Sequence, residues 1–308
     1  MEYSAQAQHI ITYLKALQTT ICDGLETVDG TAKFRHDDWQ RPAGGGGQTR
    51  VLADGAVFEK GGVNFSAING DIPAFLQKEI QEHFPHLPAS TQFLATGVSI
   101  VIHPQSPLVP IIHMNIRYFE TDKGAYWFGG GIDLTPHYVV PADATYFHTQ
   151  LKNVCDTLSN ETYASYKNWA DDYFYIKHRN ETRGIGGIFF DKLWANETQT
   201  IDKVLAFWKN VGNAFLPTYA QLVNATKAKS YTAEQKRFQL LRRGRYVEFN
   251  LVYDRGTKFG LETDGRIESI LMSLPKHVSW EYDANSTLGA EELATLALLK
   301  KGVNWLGN

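Results

Sequence analysis

The sequence predicts an α+β fold: a large antiparallel β-sheet of about seven strands, flanked by helices on both faces. Three observations carry this. Residues 111–119 and 125–134 are apolar and aromatic runs separated by Glu120-Thr121-Asp122-Lys123-Gly124, a hairpin signal that implies antiparallel pairing. Residues 246–253, 258–262 and 267–273 are parted only by the turn sequences Asp254-Arg255-Gly256 and Thr263-Asp264-Gly265, so they read as a meander. Several long segments outside these runs repeat apolar residues at helical spacing.

The elements follow in chain order. Ile10, Ile11, Leu14, Leu17 and Ile21 make 4–25 a helix. The tract Ala43-Gly44-Gly45-Gly46-Gly47-Gln48 reads as a loop. Asp71 and Pro73 supply first-turn chemistry for a helix over 71–83. Residues 93–103, rich in Val and Ile, form the strand ahead of the hairpin. Helices are expected over 142–157 and 161–179, a strand over 184–190, then helices over 199–225 and 232–242. The C-terminal meander comes next. A last helix over 290–301 opens after Gly289 with Glu291 and Glu292. No linker or internal repeat divides the chain, so one domain over 1–308 is expected.

Composition removes several classes of function. Lys and Arg total 30 against 33 Asp and Glu, a net charge of −3, which argues against a nucleic-acid partner or a charged membrane surface. No apolar run reaches the ~18 residues of a membrane span, and the N-terminus lacks a signal-peptide pattern. The only cysteines, Cys22 and Cys155, cannot form a disulfide framework or supply three thiolates to a cluster. A reducing cytoplasm is the expected location. P-loop, His-Glu-x-x-His and Gly-x-Ser-x-Gly motifs are absent, and the glycine tract does not open a dinucleotide-binding helix.

Alternation places candidate chemistry on strand faces. Along 111–119 one face carries Ile111, His113, Asn115, Arg117 and Phe119, and the other Ile112, Met114, Ile116 and Tyr118. Ser99, Val101 and His103 share a face of the preceding strand. An amide beside a guanidinium suits a carboxylate ligand, which Arg binds bidentately. A half-solvated sheet would look similar. Arg242, Arg243, Arg245, Arg255 and Arg266 cluster toward the C-terminus, as ion-paired surface groups or as a cationic pocket for a polycarboxylate or phosphate. His103, His113, His148 and His178 fall on different elements. They read as a metal site, as acid–base groups or as satisfied core histidines.

Taken together, these segments resemble one family, the oxygen-dependent coproporphyrinogen III oxidases of haem biosynthesis. The matching stretches begin with Trp39-Gln-Arg-Pro-Ala-Gly-Gly-Gly-Gly, Phe58-Glu-Lys-Gly-Gly-Val-Asn-Phe-Ser and Gly97-Val-Ser-Ile-Val-Ile-His-Pro. They continue with His113-Met-Asn-Ile-Arg-Tyr-Phe, Trp127-Phe-Gly-Gly-Gly-Ile-Asp-Leu-Thr-Pro and the run from Tyr175 to Asp191. Arg242-Arg-Gly-Arg-Tyr-Val-Glu-Phe-Asn and Gly265-Arg-Ile-Glu-Ser-Ile-Leu-Met complete the set, from about residue 36 to 283.

The resemblance implies that the propionates on rings A and B of coproporphyrinogen III become vinyl groups, giving protoporphyrinogen IX. Dioxygen is the oxidant, CO2 and H2O2 are released, and no organic cofactor takes part. It implies that Ser99, Asn115, Ile116, Arg117, Asp264, Gly265 and Arg266 contact the substrate. His113 matches the proton donor, and Asp191, Asp254 and Arg255 match groups that hold or deprotonate pyrrole nitrogens. Relatives often carry Gly where Asp264 stands. It implies a homodimer through about 246–281. Some relatives use a divalent cation, Mn or similar, at positions matching His103, His113, His148 and His178, whereas others need none. An acid–base role is preferred for His113. The rival readings are a histidine-ligated metal enzyme and a tetrapyrrole carrier that performs no chemistry.

Overall fold

The computed structural model describes residues 4–262 and 265–307. Six antiparallel strands follow one another in chain order: β1 (Arg35–Gln40), β2 (Gly45–Ala53), β3 (Phe58–Asp71), β4 (Gln92–Pro104), β5 (Ile111–Thr121) and β6 (Tyr126–Thr135). A small ladder, β7 (Tyr175–Ile176) with β8 (Glu181–Thr182), stands apart. Strand β9 (Gly187–Leu193) then pairs with β6 and completes a seven-stranded sheet.

The α+β class and the seven antiparallel strands match the expectation, but the membership differs. The three strands expected at 246–253, 258–262 and 267–273 are helical. Helix α6 runs over Ala233–Val252, α7 over Arg255–Glu262 and α8 over Ile267–Leu271. The cause is visible at the start of α6, where Thr232 and Gln235 form a reciprocal capping box. From there Phe238, Leu241, Arg242, Tyr246, Phe249 and Asn250 make one buried stripe at helical spacing. The alternation of β-prone side chains from 246 onward masks that longer period. Their place in the sheet is taken by β1, β2 and β3. The expected glycine loop is a turn plus the start of β2. Edge strand β1, with the sequence Arg-His-Asp-Asp-Trp-Gln, has almost no apolar pattern to announce it.

The other helices lie near their expected places, α1 (Ala5–Asp29), α2 (Ala74–His83), α3 (Pro141–Asp156), α4 (Thr162–Tyr173), α5 (Ile201–Thr226) and α9 (Ala290–Leu298), except that α4 stops at Tyr173 and the rest of the helix expected over 161–179 is strand β7 and a short 3-10 turn. Ser4 caps α1 by accepting from the Ala7 N–H at 3.0 Å. On one sheet face Val98, Ile100, Ile112, Met114, Ile116, Phe128, Ile132 and Phe190 pack against the buried stripes of α1 and α5. Burial contributes about 1.5–3 kcal/mol for each such side chain, so Phe128→Ala would remove about 3–5 kcal/mol. Among the described residues no helix is long and apolar enough to cross a membrane.

The second face is covered only at its ends. Helix α2 lays Ile80 and Phe84 over Phe119 and Trp127, whose rings stack at 4.1 Å. At the other end, Tyr246 of α6 packs on Val101 and Ile111. Helix α8 sits over β2 and β3 through Ser269, whose hydroxyl is 2.7 Å from Thr49 Oγ1 and whose carbonyl accepts from Asn64 Nδ2 at 2.8 Å.

Candidate active site

Between those covers lies a strip of polar and bare positions. Sheet register sets it. Asn64, Ser99, Asn115, Gly131 and Phe189 are paired partners in one row across β3, β4, β5, β6 and β9. Ser66, Gly97, Arg117 and Gly129 form the next row, about 6.6 Å along the strands. Three expected substrate contacts, Ser99, Asn115 and Arg117, therefore meet on one surface. Ile116 does not join them. Its side chain is fully buried on the opposite face, as period 2 requires, so only its main chain borders the strip.

Arg117 is held at several points and left half-open. Its Nη1 donates to Asn115 Oδ1 at 3.1 Å, its Nη2 lies 3.1 Å from Asp191 Oδ1, and its plane sits 5.8 Å from the Phe189 ring centre. Gly129 makes this possible, because a Cβ there would fall 2.6 Å from Asp191 Oδ1 and 2.8 Å from Arg117 Nε. The Lys192 N–H also donates to Asp191 Oδ1, at 3.0 Å. Among the described residues Asp191 Oδ2 has no such partner. The strip thus presents a guanidinium and an open carboxylate oxygen side by side.

On the other side of the Asn115 row, two rows from Arg117, His113 pairs directly with Asp133 across the β5–β6 hairpin. Nδ1 lies 2.8 Å from Asp133 Oδ1. Arg183 Nη2 reaches both Asp133 oxygens at 2.8 Å and its Nη1 donates to Asn250 Oδ1 at 2.9 Å. The rings of Phe174, Tyr246 and Phe249 enclose the guanidinium at 4.4, 4.5 and 4.7 Å. Burial alone would raise the Asp133 pKa, but the Arg183 charge and the His113 hydrogen bond outweigh it and hold the group below the usual carboxylate range. An ionised Asp133 fixes the proton on Nδ1 and leaves Nε2 for exchange. Asp133 and Arg183 were not singled out from sequence. The signal for Asp133 was its place opposite His113 in the hairpin register.

Asp254 and Arg255 stand above this surface. Asp254 Oδ2 accepts from the Thr257 N–H at 2.7 Å and from its hydroxyl at 2.8 Å, so the side chain caps α7. Its Oδ1 accepts from Tyr173 Oη at 2.8 Å. Tyr173 stacks on Phe189 with ring centres 4.4 Å apart, and Arg255 lies 5.8 Å from the Tyr173 ring. A chain of rings therefore links the Asp254–Arg255 pair to Arg117. Arg266, at the start of α8, is ion-paired with Asp37 of β1. Gly265 donates its N–H to Gly260 O at 2.9 Å. Asp264 lies outside the described residues.

The four histidines considered as metal ligands are not brought together. His103 is fully buried, 2.8 Å from Ser273 O, and edge-on to Tyr246. His148 bridges Ile185 O and Tyr163 Oη at 3.0 and 2.9 Å. His178 bridges Glu248 and Tyr253, each at 2.7 Å, on the surface. Among the described residues no three His, Cys, Asp or Glu side chains converge as a metal site. Cys22 and Cys155 are buried, and burial pushes both thiols up to about 12, which keeps them protonated and inert.

A carboxylate-binding guanidinium, a carboxylate with a free oxygen and an oriented imidazole along one strip of the sheet suit a large polycarboxylate that also carries N–H donors. Comparison with known proteins agrees: the coproporphyrinogen III oxidase family model matches residues 9–305 of the 308. The chain belongs to the coproporphyrinogen III oxidase family.

Proposed function

We propose that this chain is the aerobic enzyme, converting the ring A and ring B propionates of coproporphyrinogen III to vinyl groups with O2 as oxidant. The observation that carries the reading is the Arg117–Asp191 pair above Gly129. Arg117 binds a propionate carboxylate, and Asp191 Oδ2 meets a pyrrole N–H of the same macrocycle. Proton transfer to that oxygen leaves an electron-rich ring that adds O2. The resulting hydroperoxide takes the propionate β-hydrogen, the carboxylate leaves as CO2, and the vinyl group forms as H2O2 departs. As CO2 leaves, the pyrrole nitrogen takes its proton back from Asp191; each ionised propionate loses CO2 and one hydrogen with its electron pair, and O2 takes up those two electrons, that proton and one more from His113 to leave as H2O2, so the step balances. His113 supplies a proton through Nε2, with Asp133 stabilising its cation. Asp254, committed to capping α7, acts as a positioning group that sets Tyr173 and Arg255 over the strip.

The reaction is written without a metal, since His103, His113, His148 and His178 do not fit one cation here. The product is protoporphyrinogen IX. We further propose self-association through 246–281, where Leu251, Val252, Leu261, Ile267 and Trp280 are exposed, with Tyr282 next to them. The test is incubation of the purified, chelator-treated protein with coproporphyrinogen III, with and without air, followed by porphyrin chromatography. The expected outcome is a dicarboxylic product and peroxide in air only. Unchanged substrate in air rejects the reading.

A further inference from the structure

Trp39 belongs to a segment that the site so far leaves unused. It is the only apolar side chain of β1 and lies on an edge strand, where exposed apolar groups invite aggregation. It pairs directly with Gly47 and so stands in the same cross-strand row as Ser66, Gly97, Arg117 and Gly129. The indole lies over Gly47, where a Cβ would come 2.5 Å from Cζ2. Nε1–H donates to Thr49 Oγ1 at 3.2 Å, and that hydroxyl is 2.7 Å from Ser269 Oγ of α8. The ring is therefore fixed along one edge and remains half-exposed on the face of the strip.

Strands lie ~4.8 Å apart, so an indole over β2 stands roughly 14 Å from Arg117 on β5, three strands away. Only Ser66 and Gly97 occupy the row between them. That gap is the span of a macrocycle with its acidic side chains. We infer that Trp39 is a further substrate-binding residue, packing its indole against the edge of the tetrapyrrole opposite the carboxylate held by Arg117. The inference rests on the tetrapyrrole reading above.

The test compares wild type with Trp39→Ala, Trp39→Leu and Trp39→Phe. The readouts are fluorescence binding of coproporphyrin III, the non-reacting oxidised pigment, and KM and kcat with coproporphyrinogen III. Trp39→Ala and Trp39→Leu should weaken binding and raise KM roughly tenfold with kcat within about twofold, while Trp39→Phe stays within about threefold of wild type. Leu still covers Gly47, so it separates loss of a flat ring from loss of folding. Unchanged binding and KM in folded Trp39→Ala or Trp39→Leu overturn the inference, as does a fall in kcat alone. A wild type that neither binds coproporphyrin III nor turns over coproporphyrinogen III overturns the tetrapyrrole reading, and this inference with it.

Discussion

Asp133 and Arg183 form a fully enclosed ion pair, with Nη2 2.8 Å from each carboxylate oxygen, and His113 hangs from the same carboxylate. Removing one partner of such a buried pair strands the other charge, at a cost of about 3–5 kcal/mol. Asp133→Asn is therefore expected to lower the melting temperature and also to release the His113 tautomer. Turnover should fall by roughly a hundredfold or more, with a changed pH–rate profile. Wild-type turnover and an unaltered profile in this variant would remove His113 from the mechanism.

Arg117 tests substrate binding without that stability cost, since its pair with Asp191 is partly exposed and worth little to the fold. Arg117→Ala should leave the melting temperature within a few degrees of wild type while KM rises roughly tenfold to a hundredfold. Arg117→Lys keeps the charge but loses the planar fork, and should recover only part of the loss. Unchanged KM in both variants would assign the propionate to another cation.

Buried groups set the acid limit: Asp29 and the histidines His103, His137 and His148, all four held below their ordinary values. Asp29, at the end of α1, accepts from the N–H groups of Thr31, Ala32, Ala56, Val57 and Phe58. Although burial raises its pKa, these donors hold it far below the usual carboxylate value. Its folded pKa lies below its unfolded one, so its stabilisation is present above about pH 4 and is lost as pH falls further. His137 is buried, and desolvation together with Arg243 keeps it neutral well below its ordinary value. The unfolded chain takes up that proton first, so its contribution is lost as pH falls below about 6.5. Urea midpoints should decline from pH 7 toward pH 5 and drop steeply below pH 4. A flat profile between pH 7 and pH 5 would count against the burial of His103, His137 and His148 as neutral groups.

Exhaustive chelation should leave turnover in air within about twofold of the untreated enzyme, because the family's histidine positions have separate partners here. Loss of activity on chelation, restored by Mn or another divalent cation, would reverse this.

The apolar side chains exposed between 251 and 282 predict a concentration-dependent assembly. Val252→Glu combined with Ile267→Glu should shift the sedimentation coefficient toward that of a single chain, since charge is depleted in interface cores. An unchanged coefficient would place the contact elsewhere.

How far the fold could be read from sequence depended on pattern length. Strands β4 and β5 were legible because burial alternates along part of each, and β6 because the turn at 120–124 sets it in a hairpin with β5. The same alternation places His113, Asn115 and Arg117 on one face and Ile116 on the other, so the contact that the resemblance implies at Ile116 is open to its main chain only. Strands β1 and β2 escaped because polar residues and glycine carry no period. The segment from Tyr246 escaped because β-prone side chains hid a helix whose cap lies at Thr232. The role of Asp133 needed only the hairpin register, but Arg183 needed the tertiary fold, since it reaches Asp133 from 50 residues away.

Gly97 is partly open on the strip, whereas Gly129 lies beneath Arg117 and Asp191 and Gly131 beneath Phe189, and at none of the three can a coding change remove a side chain. Every substitution there adds bulk and none removes it. Mutational drift at these sites can therefore only tighten which pigments are admitted. Broader tolerance has to arise along the rim, from residues such as Arg117 and Phe189.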